Sequence, residues 1–448
     1  MKCTYPWYRP GRSWKPTVVG ASLPWRSRVW RQMLVAVFLV SVAHAQSPKQ
    51  LWVLQEPDEI VEYDMTSFAA RRTLKVPHRL LHHPEYLSIN SKGQMVFFPP
   101  KGMHWASGEM ASAGDIVWFW DGHETKEWKL ELENSGVSAG KPTVVETERQ
   151  WFLSATGESL FRFESRFEKV LDETGLERSM RSASRLLRTD LAGSNLEAIT
   201  SLSSPEWCRC STGVCSETCP EWYFWVPDGI VDDFFLVTRF TPGQLGPTTH
   251  ESLLYQRTER GWQVKKLPQP IQTPLTASKE GEILIMAVPD AGCCGWENES
   301  NDQMLLLHNG KVTVLWDEFD HYGNPNYDVS FYTADACIAP GNGLLAYTVV
   351  STARPGAEIR LSSEGKENAE ALARVRKTIG ELPAVEIVNL GFGPLRPTVI
   401  RHATFVDWVS DREILVVQDG RLALYDLRGT KLRETTIRVR SGADAFLR

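Results

Sequence analysis

Residues 46–448 hold no run of Lys and Arg that would make a phosphate-binding patch. They also lack an apolar run of the roughly 20 residues that a membrane-spanning helix needs. Nucleic acid is therefore not an expected partner, and no transmembrane span is expected in that part of the chain. Motifs of nucleophilic and phosphate chemistry are missing as well. There is no G-x-S-x-G to hold a serine on a strained elbow, no P-loop and no H-E-x-x-H. Gly391-Phe392-Gly393-Pro394 lacks the third glycine of a dinucleotide fingerprint, and its proline suits a turn. Ser363-Glu364-Gly365-Lys366 matches S-x-x-K without a companion motif. No catalytic motif emerges.

What is present is an ordinary globular composition, 42% hydrophobic and 23% charged. It excludes collagen-like, coiled-coil and wholly disordered chains. Seventeen Trp and 26 Pro in 448 residues point to short strands and turns rather than long helices.

The first 45 residues stand apart. They carry seven basic residues (Lys2, Arg9, Arg12, Lys15, Arg26, Arg28 and Arg31) and no acidic one, then apolar Met33–Val42 and Ala43-His44-Ala45. A basic stretch, a short apolar core and an A-x-A site make a secretory signal peptide, with cleavage expected after Ala45. The expected destination is the periplasm or the outside of the cell. No Cys stands at the cleavage site for lipid attachment, and no adjacent Arg pair precedes the apolar run for twin-arginine export. Without 1–45 the chain has 49 − 7 = 42 basic and 55 acidic residues, a net charge of −13 in place of −6. Such a surface disfavours nucleic acid and anionic lipid.

Of eight cysteines, Cys3 would leave with the signal. Cys208, Cys210, Cys215 and Cys219 crowd into one segment, Cys293 and Cys294 are vicinal, and Cys337 stands alone. In an oxidising compartment these seven are disulfide candidates, one thiol is left over, and spacing names no connectivity. Zinc is the other reading of 208–219, but C-x-C-x4-C-x3-C lacks the paired C-x2-C ends of ribbons and fingers. The vicinal pair admits either a strained redox-active ring or bonds to two separate partners.

From residue 51 onward the chain reads as short Val-, Ile-, Phe-, Tyr- and Trp-rich segments separated by Gly, Pro, Asn and Asp. They recur in groups of about four over about 40–50 residues, the period of a propeller blade. The groups are 86–132, 143–205, 222–267, 274–316, 331–402 and 403–439, with an opening set of three at 51–76. Closure of that set by a C-terminal strand within Ala443–Leu447 makes an all-β, seven-bladed propeller; six and eight blades are the other counts the spacing allows. Phe163–Arg188 is charged and reads as a long hairpin or an excursion on the rim. Glu364–Gly380 has helical character and a glycine stop. Both are expected to be insertions in a single domain spanning 46–448.

Ile60–Met65, Leu186–Glu197 and Leu422–Leu432 share one pattern, in which an Asp closes the outgoing strand. That carboxylate can bond turn amides, while a following Gly supplies positive φ. Leu87–Phe98, Leu275–Ile285 and Ala339–Tyr347 share another, a turn ending in Gly before an apolar strand. In these six stretches the chain resembles the WD40-like and TolB-type propeller repeats of bacterial exported proteins. The resemblance implies architecture and a periplasmic interaction role, and it transfers no site.

Two kinds of polar loop are candidates for function. Asp317, Asp320, Asn324, Asn326 and Asp328 lie within twelve residues and could supply several of the six to eight oxygens calcium requires. The same groups could equally satisfy the amides of an inter-blade turn. Trp207 and Trp222, each preceded by Glu, and Trp296-Glu297 set aromatic faces beside carboxylates, as sugar- and cation-binding surfaces do. Their alternative role is blade packing. His82-His83-Pro84-Glu85 reads as a polar loop, since the proline disfavours a helical ligand face.

The expected function is a binding or scaffold propeller that recognises a protein, peptide or glycan through loops on one face. The rival reading is a metal-assisted hydrolase or lactonase, with acids converging on a calcium-like ion in the channel.

Overall fold

A computed structural model describes residues 49–55, 59–76, 87–90, 92–97, 116–129, 143–154, 158–174, 177–191, 196–203, 208–209, 224–231, 234–241, 248–268, 274–278, 283–288, 303–317, 327–341, 343–361, 368–391, 397–439 and 445–448. Seven antiparallel sheets, each of strands consecutive in the chain, form the blades of a β-propeller. The first blade contains β1 (Gln50–Gln55), β2 (Glu59–Asp64) and β3 (Ala70–Lys75). The second is β4 (Leu87–Ile89), β5 (Met95–Phe97), β6 (Ile116–Trp120) and β7 (Thr125–Lys129). The third is β8 (Thr143–Leu153), β9 (Ser159–Leu171), β10 (Glu177–Asp190) and β11 (Glu197–Ser203), with the short β12 (Cys208–Arg209) also on β10. Next come β13 (Phe224–Val231), β14 (Phe234–Thr241), β15 (Thr248–Thr258) and β16 (Gly261–Lys266). The fifth blade is β17 (Pro274–Ala277), β18 (Ile283–Val288), β19 (Gln303–His308) and β20 (Lys311–Asp317). β21 (Phe331–Ile338), β22 (Leu344–Ser351), β23 (Ala384–Asn389) and β24 (Thr398–Arg401) make the sixth. β25 (Ala403–Ser410), β26 (Glu413–Gln418), β27 (Arg421–Asp426) and β28 (Lys431–Arg438) make the seventh.

The ring is closed by β29 (Ala445–Leu447), which pairs with β1 through Leu51↔Leu447, Trp52↔Phe446 and Val53↔Ala445. It is the fourth strand that the opening three lack. The blade count and this closure agree with the sequence expectation. Among the described residues no helix is long and apolar enough to cross a membrane.

Each blade packs against its neighbours on both faces, so its middle strands are apolar on both sides. Leu51, Trp52 and Val53 of β1 are fully buried, as are Phe234–Val237 of β14. Outer strands such as β3 and β16 are largely exposed. The cores lie between blades. Trp52 and Ile60 pack with Ile89, Met95 and Trp120; Phe161 and Phe163 pack with Phe235 and Val237; Leu51 and Val53 pack with Leu415 and Val417. Each fully buried side chain of this size contributes about 1.5–3 kcal/mol, so the seams between blades hold the ring together.

The turns obey the chemistry expected of them. Asp426 Oδ1 accepts from Arg428 N at 2.9 Å and Thr430 N at 2.8 Å, and Gly429 takes φ +73. Asp64 caps Thr66 N and Ser67 N in the same way, at 2.9 and 2.8 Å. Asp121 does so for His123 N and Glu124 N, both at 2.8 Å, a repeat of the device that the sequence reading did not single out.

Residues 163–171 and 177–188 fall in β9 and β10, the paired middle strands of the third blade. Residues 369–381 form α1 (Ala369–Glu381), between β22 and β23. Asn368 caps it, accepting from Glu370 N and Ala371 N, and Ala371, Leu372, Val375 and Ile379 face the core. The glycine stop is corrected here. Gly380 lies inside the helix, which ends at Leu382 because the residue before Pro383 is driven to the extended region (φ −88, ψ 157).

Candidate functional site

The four-stranded meander gives the propeller two unlike faces. First strands of successive blades are neighbours, β8 with β13, β13 with β17, β17 with β21, β21 with β25 and β25 with β29, and so line the inside of the ring. Connections between second and third strands, and from each blade to the next, therefore all attach on one face. These include 98–115, 130–142, 204–223, 289–302, 318–330 and 352–383. First-to-second and third-to-fourth connections attach on the other face, where none is longer than 390–397 and most are tight turns such as 121–124, 411–412 and 427–430. Both ends of the described chain, Lys49 and Arg448, also lie on the short-turn face, where β1 starts and β29 ends.

Every residue marked in the sequence as a binding candidate falls within, or at the end of, a connection that attaches on that face. Trp207 and Trp222 fall in 204–223, Trp296 and Glu297 in 289–302, and Asp320, Asn324 and Asn326 in 318–330. All seven lie outside the described residues, as do Cys210, Cys215, Cys219, Cys293 and Cys294. Cys208 is in β12, opposite Met180 of β10. Cys337 lies in β21 with its Sγ 3.5 Å from Ile338 O, and its carbonyl accepts from Trp408 Nε1 at 2.8 Å.

The ends of the proposed calcium loop have partners in the fold. Asp317 Oδ2 accepts from Gln303 Nε2 at 2.6 Å across β19 and β20. Asp328 Oδ1 accepts from Arg360 N at 2.9 Å, while Asp328 N donates to Arg360 O at 2.9 Å. Among the described residues no three His, Cys, Asp or Glu side chains gather closely enough to hold a metal ion.

Sequence reading missed a set of acids on the innermost strands. In β21 the pairs Ile338↔Leu345 and Cys337↔Ala346 are followed by a bulge that carries Asp335 at φ +53. In β25 the pairs Ser410↔Glu413 and Trp408↔Ile414 are followed by Asp407, beside a bulge at Val406. In β13 a bulge at Asp228 follows Gly229↔Leu236. Asp335 and Asp407 thus each lie beside a bulge on an inner strand. Bulges re-aim side chains in this way. Asp335 keeps an exposed edge, yet crowding pushes its carboxyl above the usual range against a 3.3 Å bond from Thr348 Oγ1. Burial pushes Asp407 up as well; the charge of Lys49, the bond from Trp408 N and the charge of Arg448 pull it back. Pro227-Asp228-Gly229 reads locally as a turn, which is why the inner-strand position was not legible.

No family model and no curated protein sequence matches the chain. Among solved structures it is similar to Kluyveromyces lactis Hsv2, at 10% identity over 85% of this chain and 90% of that one, with a TM-score of 0.38. It is similar also to KlAtg21 in a complex with the coiled coil of AgAtg16, at 8% identity over 88% and 97%, with a TM-score of 0.43. Apo AztD from Citrobacter koseri matches at 11% identity over 88% and 95%, with a TM-score of 0.37. At these scores the likenesses assign no partner and no activity to this chain.

Proposed function

We propose that this protein is an exported binding or scaffold propeller whose long-connection face recognises a protein, peptide or glycan. The observation that carries the reading is the asymmetry of the faces. Tight, Asp-capped turns finish one side, and the segments rich in Trp, Cys and carboxylates all attach to the other. Loops set on a rigid scaffold are where recognition concentrates. Export is supported by the basic stretch, apolar run and Ala43-His44-Ala45 ahead of the ring, together with the TolB-type resemblance. The mature N-terminus is then expected at Gln46, and mass spectrometry that finds Met1 retained would remove the export part.

The binding part is tested with two loop variants. In one, 204–223 is replaced by a short Gly-Ser linker; in the other, 289–302 is. A ligand bound by the natural protein should be lost or weakened by either replacement, with the β-sheet circular dichroism retained. A variant that reshapes the opposite turn 121–124 should still bind. Equal binding by both loop variants, or loss on altering 121–124, would contradict the proposal.

A further inference from the structure

The outermost strand of a blade has no neighbour on one side, and charged side chains guard several of these edges against stray pairing. β3 carries Arg71 and Arg72, β16 carries Lys265 and Lys266, and β28 carries Lys431 and Arg433. β20 is different. It ends the fifth sheet, pairs only with β19, and after Lys311 runs Val312-Thr313-Val314 with all four residues exposed. Val312 is 36% and Val314 47% exposed, and among the described residues no other strand shows two large apolar side chains to solvent. β-branched residues favour extended backbone, so this stretch is built to pair. It is also held in place at both ends. The hairpin into β20 turns on Asn309-Gly310, at φ +52 and +71, the type I′ geometry that matches the twist of the flanking strands. After Val314, Leu315 bulges out of the ladder and is buried with Trp316 in the core between the fifth and sixth blades.

We propose that β20 is a self-association edge, which pairs antiparallel with β20 of a second copy of this chain and continues the fifth sheet across a two-fold axis. The sequence of the edge identifies its occupant. A two-fold axis perpendicular to a sheet must pass through a residue position, because opposed side chains share a face. Through Thr313 it sets Val312 opposite Val314 of the second copy, Val314 opposite Val312, and Thr313 opposite itself. Apolar β-branched pairs and Thr–Thr pairs are favourable across strands. The two Lys311 side chains then stand four positions apart, about 13 Å, beyond the screening length of about 8 Å at physiological salt. An axis through Val312 breaks the match, since it leaves Val314 facing Gly310 of the turn. So short an edge makes a small contact, and the dimer it supports is a weak, micromolar one.

The test is sedimentation velocity on the full chain from about 1 to about 100 µM, the range in which a contact of this size dissociates. The weight-average mass should rise with concentration toward that of two chains. Val314→Lys places a charge opposite Val312 and should weaken association at least about tenfold, with circular dichroism and melting temperature kept. Val399→Lys changes an exposed valine on another outer strand, β24, and should leave association unchanged. Thr313→Cys gives a readout that does not depend on affinity. Cβ atoms of directly opposed residues lie about 4.5–5.5 Å apart, so a short bismaleimide should join position 313 of one copy to 313 of the other, as peptide mapping would show. A natural protein that stays monomeric throughout would overturn the proposal. So would a folded Val314→Lys that associates as tightly as the natural chain, association that Val399→Lys weakens equally, or a dimer without the 313–313 link.

Discussion

Asp64, Asp121 and Asp426 end strands in three different blades, and all three carboxyls are lowered chiefly by turn amides. Asp64 is held at about 2 by the Ser67 amide and hydroxyl, with Arg71 alongside. A carboxyl lowered on folding stabilises the protein above its unfolded value and loses that contribution as pH falls through the folded one. Asp64→Asn should therefore flatten the acid limb of the stability curve between about pH 4 and about pH 2. Urea midpoints at several pH values check this, and an unchanged acid limb would contradict it. Asp64 and Asp426 were readable because a strand closed by Asp before a turn is a local pattern. Asp407 was not readable, because Lys49, which faces it, contacts the adjacent Trp408 from 359 positions away in the chain.

At the scale of elements, alternation and spacing were enough to place the strand groups of every blade, because each is a short apolar run set off by turn residues. The long β9–β10 hairpin was harder to assign. Its rows of charge pair across the strands, Arg185 of β10 with Glu164 of β9 and Arg181 with Glu168, so a sheet surface reads in sequence as a polar excursion. The helix was legible but its end was not, since Pro383 rather than Gly380 decides where it stops. Turns also serve the seams. Gly93 takes φ +83, and a Cβ there would lie 2.9 Å from Trp52 Cη2 of the preceding blade. Gly93→Ala should thus strain the backbone and displace a buried Trp, costing more than about 1 kcal/mol. A denaturation midpoint unchanged from the natural protein would show that the two blades do not meet as described.

For the whole molecule, seven blades and strand closure followed from counting segments, because an opening set of three needs a partner from elsewhere in the chain. The separation of the faces did not follow from counting. It needs the parity of each connection, and only the assembled ring shows that 204–223, 289–302 and 318–330 attach to the same side. Those segments were noticed for their Trp, Cys and carboxylates one at a time; the fold brings their attachment points to a common face. The most direct measurement is hydroxyl-radical footprinting of the protein alone and with its bound ligand. Protection is predicted in 204–223, 289–302 and 318–330, with 65–69, 121–124 and 427–430 unchanged. Protection confined to those short turns would place recognition on the opposite face and contradict the account.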